Sequence, residues 1–269
     1  MKIGQIGFGF VGGALHRSLL KKGEKTIVYD KFKNMGSVKD LLDSDVIFVC
    51  LPTPYVEGHG FDLSAIIENL KALQEKDYEG LVVLKSTVEP GITKSLASRF
   101  SKLRVIHNPE FLTARSADDD FHNQEHIVFG YTESLSDTKV KTEQLAAFFA
   151  SHYPNAALSI CNSDESESMK LFCNNFYAMK VQIFNEFYFL CQKKGIDFET
   201  VKEMMLKNNW INPMHTQVPG PDGQPSYGGA CFPKDTNALN HFMKTNGSPN
   251  RVLEACIGER DSMREHKLK

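Results

Sequence analysis

The segment Tyr227–Asp235 reads Tyr-Gly-Gly-Ala-Cys-Phe-Pro-Lys-Asp, in which a thiol is followed by a proline, a lysine and a carboxylate. Pro233 suits the first turn of a helix that continues through Asn240, so we expect Cys231 to lie just before a helix N-terminus with Lys234 nearby. Both features lower a thiol pKa and raise the fraction of thiolate. Such a thiolate can add to an aldehyde, and the thiohemiacetal can lose a hydride to give a thioester.

Three other roles are open to Cys231: a core residue, a metal ligand or a disulfide partner. The cysteines show no CxxC pair, and no Cys/His cluster has zinc-site spacing. Reduced thiols are the default in a cytosolic chain. A buried structural role suits Cys173 and Cys191 better, because they fall in an apolar helical stretch. We therefore favour a nucleophile at Cys231 and predict no metal site.

Two further pairs of residues could support this chemistry. Lys170 and Asn174 are spaced i, i+4 in an otherwise apolar stretch and would share one helix face. Alone they would suggest a solvated face; beside the other motifs they suggest a cation and a donor aimed at developing negative charge. Gly228 and Gly229 would let a substrate approach closely. Glu110 follows a proline just past an apparent strand end, where α/β sheets bind ligands, although alone it would be an ordinary loop carboxylate.

A dinucleotide fingerprint begins the chain. Gly7-Phe8-Gly9-Phe10-Val11-Gly12 follows a strand pattern and opens a helix, and a second strand pattern ends at Asp30. The glycines let the backbone approach a pyrophosphate, and the helix N-terminus supplies N–H donors. Asp30 can bind a ribose diol and would repel a 2′-phosphate, so NAD is favoured over NADP, although Lys31 and Lys33 weaken that preference. The alternative is a glycine-rich turn that binds no dinucleotide.

The elements that must position these residues form two predicted domains. In the first, over residues 1–160, six apolar runs alternate with helical patterns, which predicts an α/β fold with a Rossmann-type, doubly wound parallel sheet. The second, over residues 161–269, is predicted to be all-helical. Its first helix runs from Ser163 to Lys194, because Pro and Gly are absent until Gly195. The six runs are KIGQIGF, TIVYD, DVIFVCL, LVVLKS, LRVIHN and HIVFG.

Three shorter helices are predicted after the long one, at about 197–207, 234–244 and 248–264, the last with Ser248 as N-cap and Pro249 at the first position. Between the first two of these helices is a long stretch with neither helical nor strand periodicity, NNWINPMHTQVPGPDGQPSYGGA. We favour a binding loop over disorder for this stretch. Aromatic residues are spread around more than one face of the 163–194 helix. That distribution predicts a homodimer seam.

Composition excludes some classes of function. The net charge of −2, without a basic tract, disfavours nucleic-acid binding. Apolar runs are too short for a membrane helix, and the N-terminus enters a strand pattern without a signal-peptide layout. These features predict a cytoplasmic protein that works on small molecules.

Several motifs together resemble the UDP-glucose/GDP-mannose dehydrogenase family: LPTP at 51–54, STVEPG at 86–91, NPEFL at 108–112, Lys170 with Asn174, and GGACFPKD at 228–235. These NAD-dependent enzymes oxidise the primary alcohol of a sugar nucleotide twice, to a uronic acid. The resemblance runs from Met1 to about Arg264. CFPKD with NPEFL is its most specific part.

The resemblance implies roles for individual residues. Cys231 would be the covalent nucleophile, and Lys170 and Asn174 would hold the sugar oxygen and the oxyanion. Asp235 would position a water and assist proton removal, unless it only caps its helix, and Glu110 would activate the water that hydrolyses the thioester. Thr87 would lie near the reacting carbon. Implied NAD contacts, besides the fingerprint, are Pro52, Thr53, Ser86, Thr87 and Lys234. Implied substrate contacts are Glu110, Phe111, Leu112, Lys170, Asn174, Tyr227, Gly228 and Gly229.

The chain also departs from the family pattern. Family members are longer and have a third, C-terminal domain that grips the nucleotide, so this resembles a short form. Thr113 and Ala114 follow NPEFL where a Glu is usual, and no arginine lies between Trp210 and Tyr227. Chemistry is expected to survive, with the 218–223 loop holding the nucleotide alone or with a partner subunit.

Three functions follow from these observations. The first is two-step oxidation of a UDP-sugar, such as UDP-glucose to UDP-glucuronate. The second is a single-step dehydrogenase of the 6-phosphogluconate or β-hydroxyacid type, which needs no cysteine. The third is a catalytically idle subunit of a full-length dehydrogenase.

Overall fold

The structure, a computed structural model, describes residues 1–113 and 115–265. The chain divides into two compact units. The first unit comprises Met1–Pro54 and Phe61–Lys170, and the second comprises Tyr55–Gly60 and Leu171–Lys269. The domain assignment of 1–160 and 161–269 remains a prediction, as does any statement about Ala114 or the last four residues, which lie outside the described part.

A seven-stranded, mostly parallel sheet organises the first unit. The strands in chain order are β1 (Ile3–Ile6), β2 (Thr26–Tyr29), β3 (Val46–Val49), β4 (Tyr55–Val56), β5 (Gly60–Phe61), β6 (Leu81–Leu84), β7 (Arg104–His107), β8 (His126–Tyr131) and β9 (Ala157–Asn162). Strands β4 and β5 pair with each other in a separate two-stranded sheet, and the other seven have the order β2-β1-β3-β6-β7-β8-β9. Alternate residues of β3 enter different cores: Val46 and Phe48 pack on one face, Ile47 and Val49 on the other. Both faces are therefore covered, which explains the continuous apolar strands.

The predicted α/β fold and its six strands are confirmed, but the fully parallel sheet is wrong at one edge. Strand β8 pairs antiparallel with β7 through His107 and Gly130. The described part of the connection between these strands contains the six-residue helix Ala117–His122. Strand β9 was not predicted, because this half-exposed edge strand mixes Ser159, Cys161 and Asn162 with its apolar residues.

The long helix occupies Ser163–Lys194, as predicted. The prediction of Ser248 as an N-cap with Pro249 at the first helical position is wrong, because the last helix begins at Arg251. The Ser248 N–H instead donates to the Met243 carbonyl and closes the preceding helix, with Gly247 at φ +65°. A 3₁₀ turn covers Val38–Leu41. The helices are α1 (Phe10–Lys21), α2 (Ser64–Gln74), α3 (Ile92–Arg99), α4 (Ala117–His122), α5 (Thr138–His152), α6 (Ser163–Lys194), α7 (Phe198–Leu206), α8 (Phe232–Thr245) and α9 (Arg251–Glu265).

Candidate active site

The glycine-rich turn after β1 has the geometry of a dinucleotide cradle. Gly7 has φ +91°, and its N–H donates to the Tyr29 carbonyl. A Cβ at Gly12 would lie 2.2 Å from the Gly7 oxygen, so a side chain there would displace the turn. A Cβ at Gly9 would meet no atom within 4 Å, which leaves open space in front of the first turn of α1. These residues fit a bound pyrophosphate.

Asp30, at the end of β2, is held beside this turn. Its Oδ2 accepts the Phe8 N–H at 2.7 Å, and its Oδ1 accepts the N–H groups of Phe32 and Lys33 at 3.0 Å each. Partial burial acts to raise the pKa of Asp30, but these backbone donors outweigh it and the net shift is downward. Asp30 is therefore an ionised acceptor in the position expected for a ribose diol.

Two predicted cofactor loops are joined at the carboxyl ends of β3 and β6. The Ser86 hydroxyl donates to the Leu51 carbonyl at 2.6 Å, and the Thr53 hydroxyl donates to the Thr87 carbonyl at 2.7 Å. Thr53, Ser86 and Thr87 are buried, whereas Pro52 is exposed. The LPTP and STVEPG loops are thus joined by side-chain hydrogen bonds at the carboxyl edge of the sheet.

Glu110 lies just past β7 and is only 8% exposed. Its Oε1 is 3.2 Å from Lys170 Nζ, and its Oε2 accepts the Leu112 N–H at 2.6 Å. The Lys170 ammonium group also lies 5.3 Å from the centre of the Phe111 ring. The first unit thus brings Glu110, Phe111, Leu112 and Lys170 together, four of the predicted substrate contacts.

Sequence reasoning missed a second buried lysine in the first unit. Lys85 directly follows β6, is 4% exposed, and donates from Nζ to both the side-chain and the backbone oxygen of Asn108. The available signal was a lysine placed between a run of four buried residues and STVEPG. Such a position belongs to the ligand-binding edge of the sheet rather than to solvent.

In the second unit, Asp235 is the centre of a polar network. This fully buried carboxylate accepts the Asn174 Nδ2 at 2.6 Å and the Lys234 Nζ at 2.5 Å. Asn175 Nδ2 donates to the Asp235 carbonyl at 3.2 Å. Lys234 is thus engaged with this carboxylate. Its predicted contact with the cofactor remains a prediction.

Cys231 immediately precedes α8, as the sequence predicts, and is half-buried. Its carbonyl accepts the Asp235 N–H, which closes the first turn of the helix. Gly229, two residues earlier, has φ +76°, a conformation that favours glycine. Cys231 therefore lies at a helix N-terminus and close to a glycine turn, as the sequence predicts.

The long loop before Cys231 is held by residues that sequence reasoning missed. Asn185 Oδ1 accepts the Ser226 N–H at 2.8 Å. From α9, Arg264 donates to Asp222 at 2.8 Å, and Arg260 donates to the Tyr227 carbonyl at 3.2 Å. The loop contains no arginine of its own, but two arginines of α9 support it. An amide at Asn185 within an apolar helix was the one available signal.

Two kinds of feature are absent from the part of the chain that the structure describes. No helix there is long and apolar enough to cross a membrane. Nor do any three His, Cys, Asp or Glu side chains in residues 1–113 and 115–265 group as a metal site would need.

The fold and the cradle are those of a dinucleotide-binding α/β protein. Two family models match the chain: the NAD binding domain of the UDP-glucose/GDP-mannose dehydrogenase family over residues 31–148, and the central domain of the same family over residues 164–259. The chain belongs to the UDP-glucose/GDP-mannose dehydrogenase family. NAD is the cofactor of that N-terminal domain.

Individual relatives agree with this assignment. The chain is 30% identical to a UDP-glucose 6-dehydrogenase of Haloferax volcanii, over 89% of this chain and 57% of the relative. It is 32% identical to a UDP-glucose 6-dehydrogenase of Pseudomonas aeruginosa, over 80% of this chain and 48% of the relative. The chain thus spans about half the length of these curated relatives. A solved UDP-glucose dehydrogenase from Pyrobaculum islandicum shares the fold, with a TM-score of 0.84 and 24% identity over 97% of this chain and 68% of that one.

Proposed function

We propose that this chain oxidises the C6 primary alcohol of a UDP-sugar to the acid in two NAD-dependent steps, with UDP-glucose to UDP-glucuronate as the first candidate. The observation that carries the proposal is Cys231 at the N-terminus of α8, one helical turn before the Asn174–Asp235–Lys234 network. A four-electron oxidation needs a nucleophile to hold the aldehyde, and a simple alcohol dehydrogenase does not.

The proposed steps assign one task to each residue. NAD, when bound, accepts the hydride in each oxidation. The Asp235 carboxylate orients a water that relays the alcohol proton to this carboxylate, while Lys170 Nζ and Asn174 Nδ2 donate to the sugar oxygen. Cys231 Sγ then bonds to the aldehyde carbon, and the same donors stabilise the resulting oxyanion. Loss of the second hydride from this thiohemiacetal gives the thioester. Glu110 finally accepts a proton from the water that displaces Cys231 from the thioester.

Two accompanying proposals concern assembly and location. Apolar side chains of the second-unit part of α6 are exposed, including Phe172 at 54%, Phe176 at 61% and Leu190 at 57%. Their exposure supports a homodimer formed through the 163–194 helix. A mass measurement by light scattering tests it, because a monomer at micromolar concentration would refute the proposal. A cytoplasmic location is proposed from the sequence features alone.

The experiment that tests the function is the stoichiometry of the cofactor. Pure protein is mixed with excess NAD and limiting UDP-glucose, and NADH is measured at completion. Two NADH per sugar together with a new acid support the double oxidation, whereas one NADH per sugar supports the single-step alternative. Cys231→Ser is the matched variant: it should form no acid, and undiminished acid formation would refute the thioester.

One observation keeps a second candidate open. Because the chain spans about half of its curated relatives, it could act as an idle subunit that needs a full-length dehydrogenase. Absence of NADH with UDP-glucose and with a panel of other nucleotide sugars would favour that role.

A further inference from the structure

Lys85 is a buried cation that the proposed mechanism does not use. Its Nζ donates to Asn108 Oδ1 at 2.8 Å and to the Asn108 carbonyl at 3.1 Å. It also lies 5.4 Å from the centre of the Phe121 ring, which covers it from α4. The other end of the Asn108 amide donates from Nδ2 to the Val128 carbonyl of β8 at 2.7 Å. Asn108 is therefore tied on one side to Lys85 and on the other to β8.

This clamp is only one residue away from Glu110. Between them is Pro109, whose ring fixes its own φ and restricts Asn108. A displacement of Asn108 would therefore be transmitted to Glu110, whose Oε2 is itself held by the Leu112 N–H. Fixing Asn108 fixes the direction in which the Glu110 carboxylate leaves the chain.

A lysine is a costly way to fill this space. Burial lowers the pKa of Lys85 to about 8, while Cys50 and Glu110 act to raise it and Lys170 acts to lower it. Buried His107 is the other titratable group facing it, and burial lowers the pKa of His107 to about 3, so it is uncharged near neutral pH. An apolar side chain of similar length would avoid the desolvation cost. What Lys85 adds is a charge-assisted pair of hydrogen bonds to Asn108.

We propose that Lys85 is a positioning residue, which clamps Asn108 and thereby holds the Glu110 carboxylate in the orientation it needs to accept a proton from water in the proposed hydrolysis step. The inference rests on the proposed function. In that step the water oxygen bonds to the acyl carbon and one water proton passes to Glu110. The carbon–sulfur bond breaks, and its electron pair goes to Cys231 Sγ. The two hydride transfers precede this step and do not need Glu110.

The first test needs neither substrate nor cofactor. The ¹H–¹⁵N NMR signals of the Asn108 side-chain amide are followed as the pH is raised. These signals are assigned as the ones that are missing from the spectrum of Asn108→Ala. We expect them to shift with a midpoint near the lysine pKa of about 8, and the shift to vanish in Lys85→Met. A signal that does not titrate in the unmodified protein, or that still titrates in Lys85→Met, overturns the clamp.

The second test separates hydrolysis from oxidation. With NAD and UDP-glucose, Lys85→Met should keep a rapid burst of two NADH per site, but its steady-state rate should fall roughly 10- to 100-fold, the size expected for a misplaced group. The intact mass should then show an acyl group on Cys231, as in the reference variant Glu110→Gln. A burst and a steady state that fall together, as partial unfolding would cause, overturn the proposal, as does an unchanged steady state.

Two further variants keep the result interpretable. Asn108→Ala removes the clamp from its other side and should give the same split, and the double variant should be no slower than either single one, because both remove one unit. Lys85→Arg keeps its charge at high pH and should retain hydrolysis above pH 8 better than the unmodified chain. If the unmodified protein forms no NADH, the proposed function fails, and the hydrolytic role of Lys85 fails with it. If the unmodified protein forms two NADH per sugar but the variants do not show the expected loss of hydrolysis, the inference about Lys85 alone fails.

Discussion

The two units hold their polar groups by different means. In the first, Thr87 and Glu110 each lie three residues past the ends of β6 and β7, whose backbones pair along their whole length. In the second, Cys231 follows a long loop without strand or helix, and Asp235 depends on side chains of α6 and of its own helix. The candidate residues of the first unit therefore follow paired strands, whereas those of the second unit are held by individual side-chain hydrogen bonds.

The difference matters for local stability. The pairing of β6 and β7 rests on many backbone hydrogen bonds, so the loss of one side chain leaves these strands paired even where it displaces a residue past a strand end, as proposed for Asn108. A loop held by individual side chains, among them Asn185, Arg260 and Arg264, loses part of its support with each bond removed. We expect single substitutions to open the second unit locally while the sheet of the first stays closed.

Asp235→Ala should have the largest effect. It leaves the Asn174 amide and the Lys234 ammonium group without their carboxylate, and breaking a buried charge network of this kind costs about 3–5 kcal/mol. Urea unfolding measures the loss, and hydrogen exchange should locate it in α8. Asp235→Asn is the matched control, because it retains the shape and one acceptor oxygen and should lose less. A loss below about 1 kcal/mol in the alanine variant would contradict the importance assigned to this network.

Glu167→Gln tests the first unit through pH. The Glu167 carboxylate accepts the Gly91 and Thr93 N–H groups at 2.7 Å each, and burial raises its pKa from 4.5 to about 7 against the effect of these donors. The folded state therefore binds the proton more tightly than the unfolded state. The stability that this provides is complete below pH 4.5 and is lost as the pH rises through 7.

The shift in the Glu167 pKa corresponds to about 3 kcal/mol. We expect the unmodified chain to lose that much stability relative to Glu167→Gln between pH 4.5 and 7.5, as measured by urea unfolding at each pH. His107, whose pKa burial lowers to about 3, gives a slope of opposite sign between pH 3 and 6.5, but it is present in both proteins and cancels in the difference. Parallel pH profiles would show that Glu167 keeps an ordinary pKa.

Asn185→Ala should have a smaller and local effect. It leaves the buried Ser226 N–H without its acceptor, at a cost of about 1–3 kcal/mol. Hydrogen exchange at Ser226 and Tyr227 should accelerate roughly 10- to 100-fold, while exchange in β6 is unchanged. Asn69→Ala is the matched control, since that amide only donates to Ala65 one turn earlier in α2. Equal acceleration of hydrogen exchange in both variants would contradict the proposed difference between the side-chain-supported loop of the second unit and the paired strands of the first.

The same contrast explains what the sequence could and could not predict. The strands and the 163–194 helix follow from local apolar periodicity, and the glycine fingerprint follows from backbone geometry at Gly7 and Gly12. The Lys85 clamp and the Arg264–Asp222 contact could not be predicted, because their partners are 23 and 42 residues away in the chain and no local pattern links them. Edge strand β9 escaped because its half-exposed residues lack the continuous apolar run of a buried strand.

Arg17→Gln should have the smallest effect, and it tests whether every charged pair in the first unit matters as the buried ones do. Arg17 makes two hydrogen bonds to Asp118, at 2.7 and 2.6 Å, joining α1 to α4, and each side chain is 46% exposed. At that exposure solvent screens the attraction, and the expected loss is below about 1 kcal/mol. Unfolding in low salt and in 1 M NaCl should show the loss shrinking as salt screens the pair. NAD affinity, measured by calorimetry, should stay unchanged because the N-terminal turn of α1 does not use Arg17. A loss comparable with that of Asp235→Ala would mean that the contact between α1 and α4, rather than the paired strands, keeps the first unit closed.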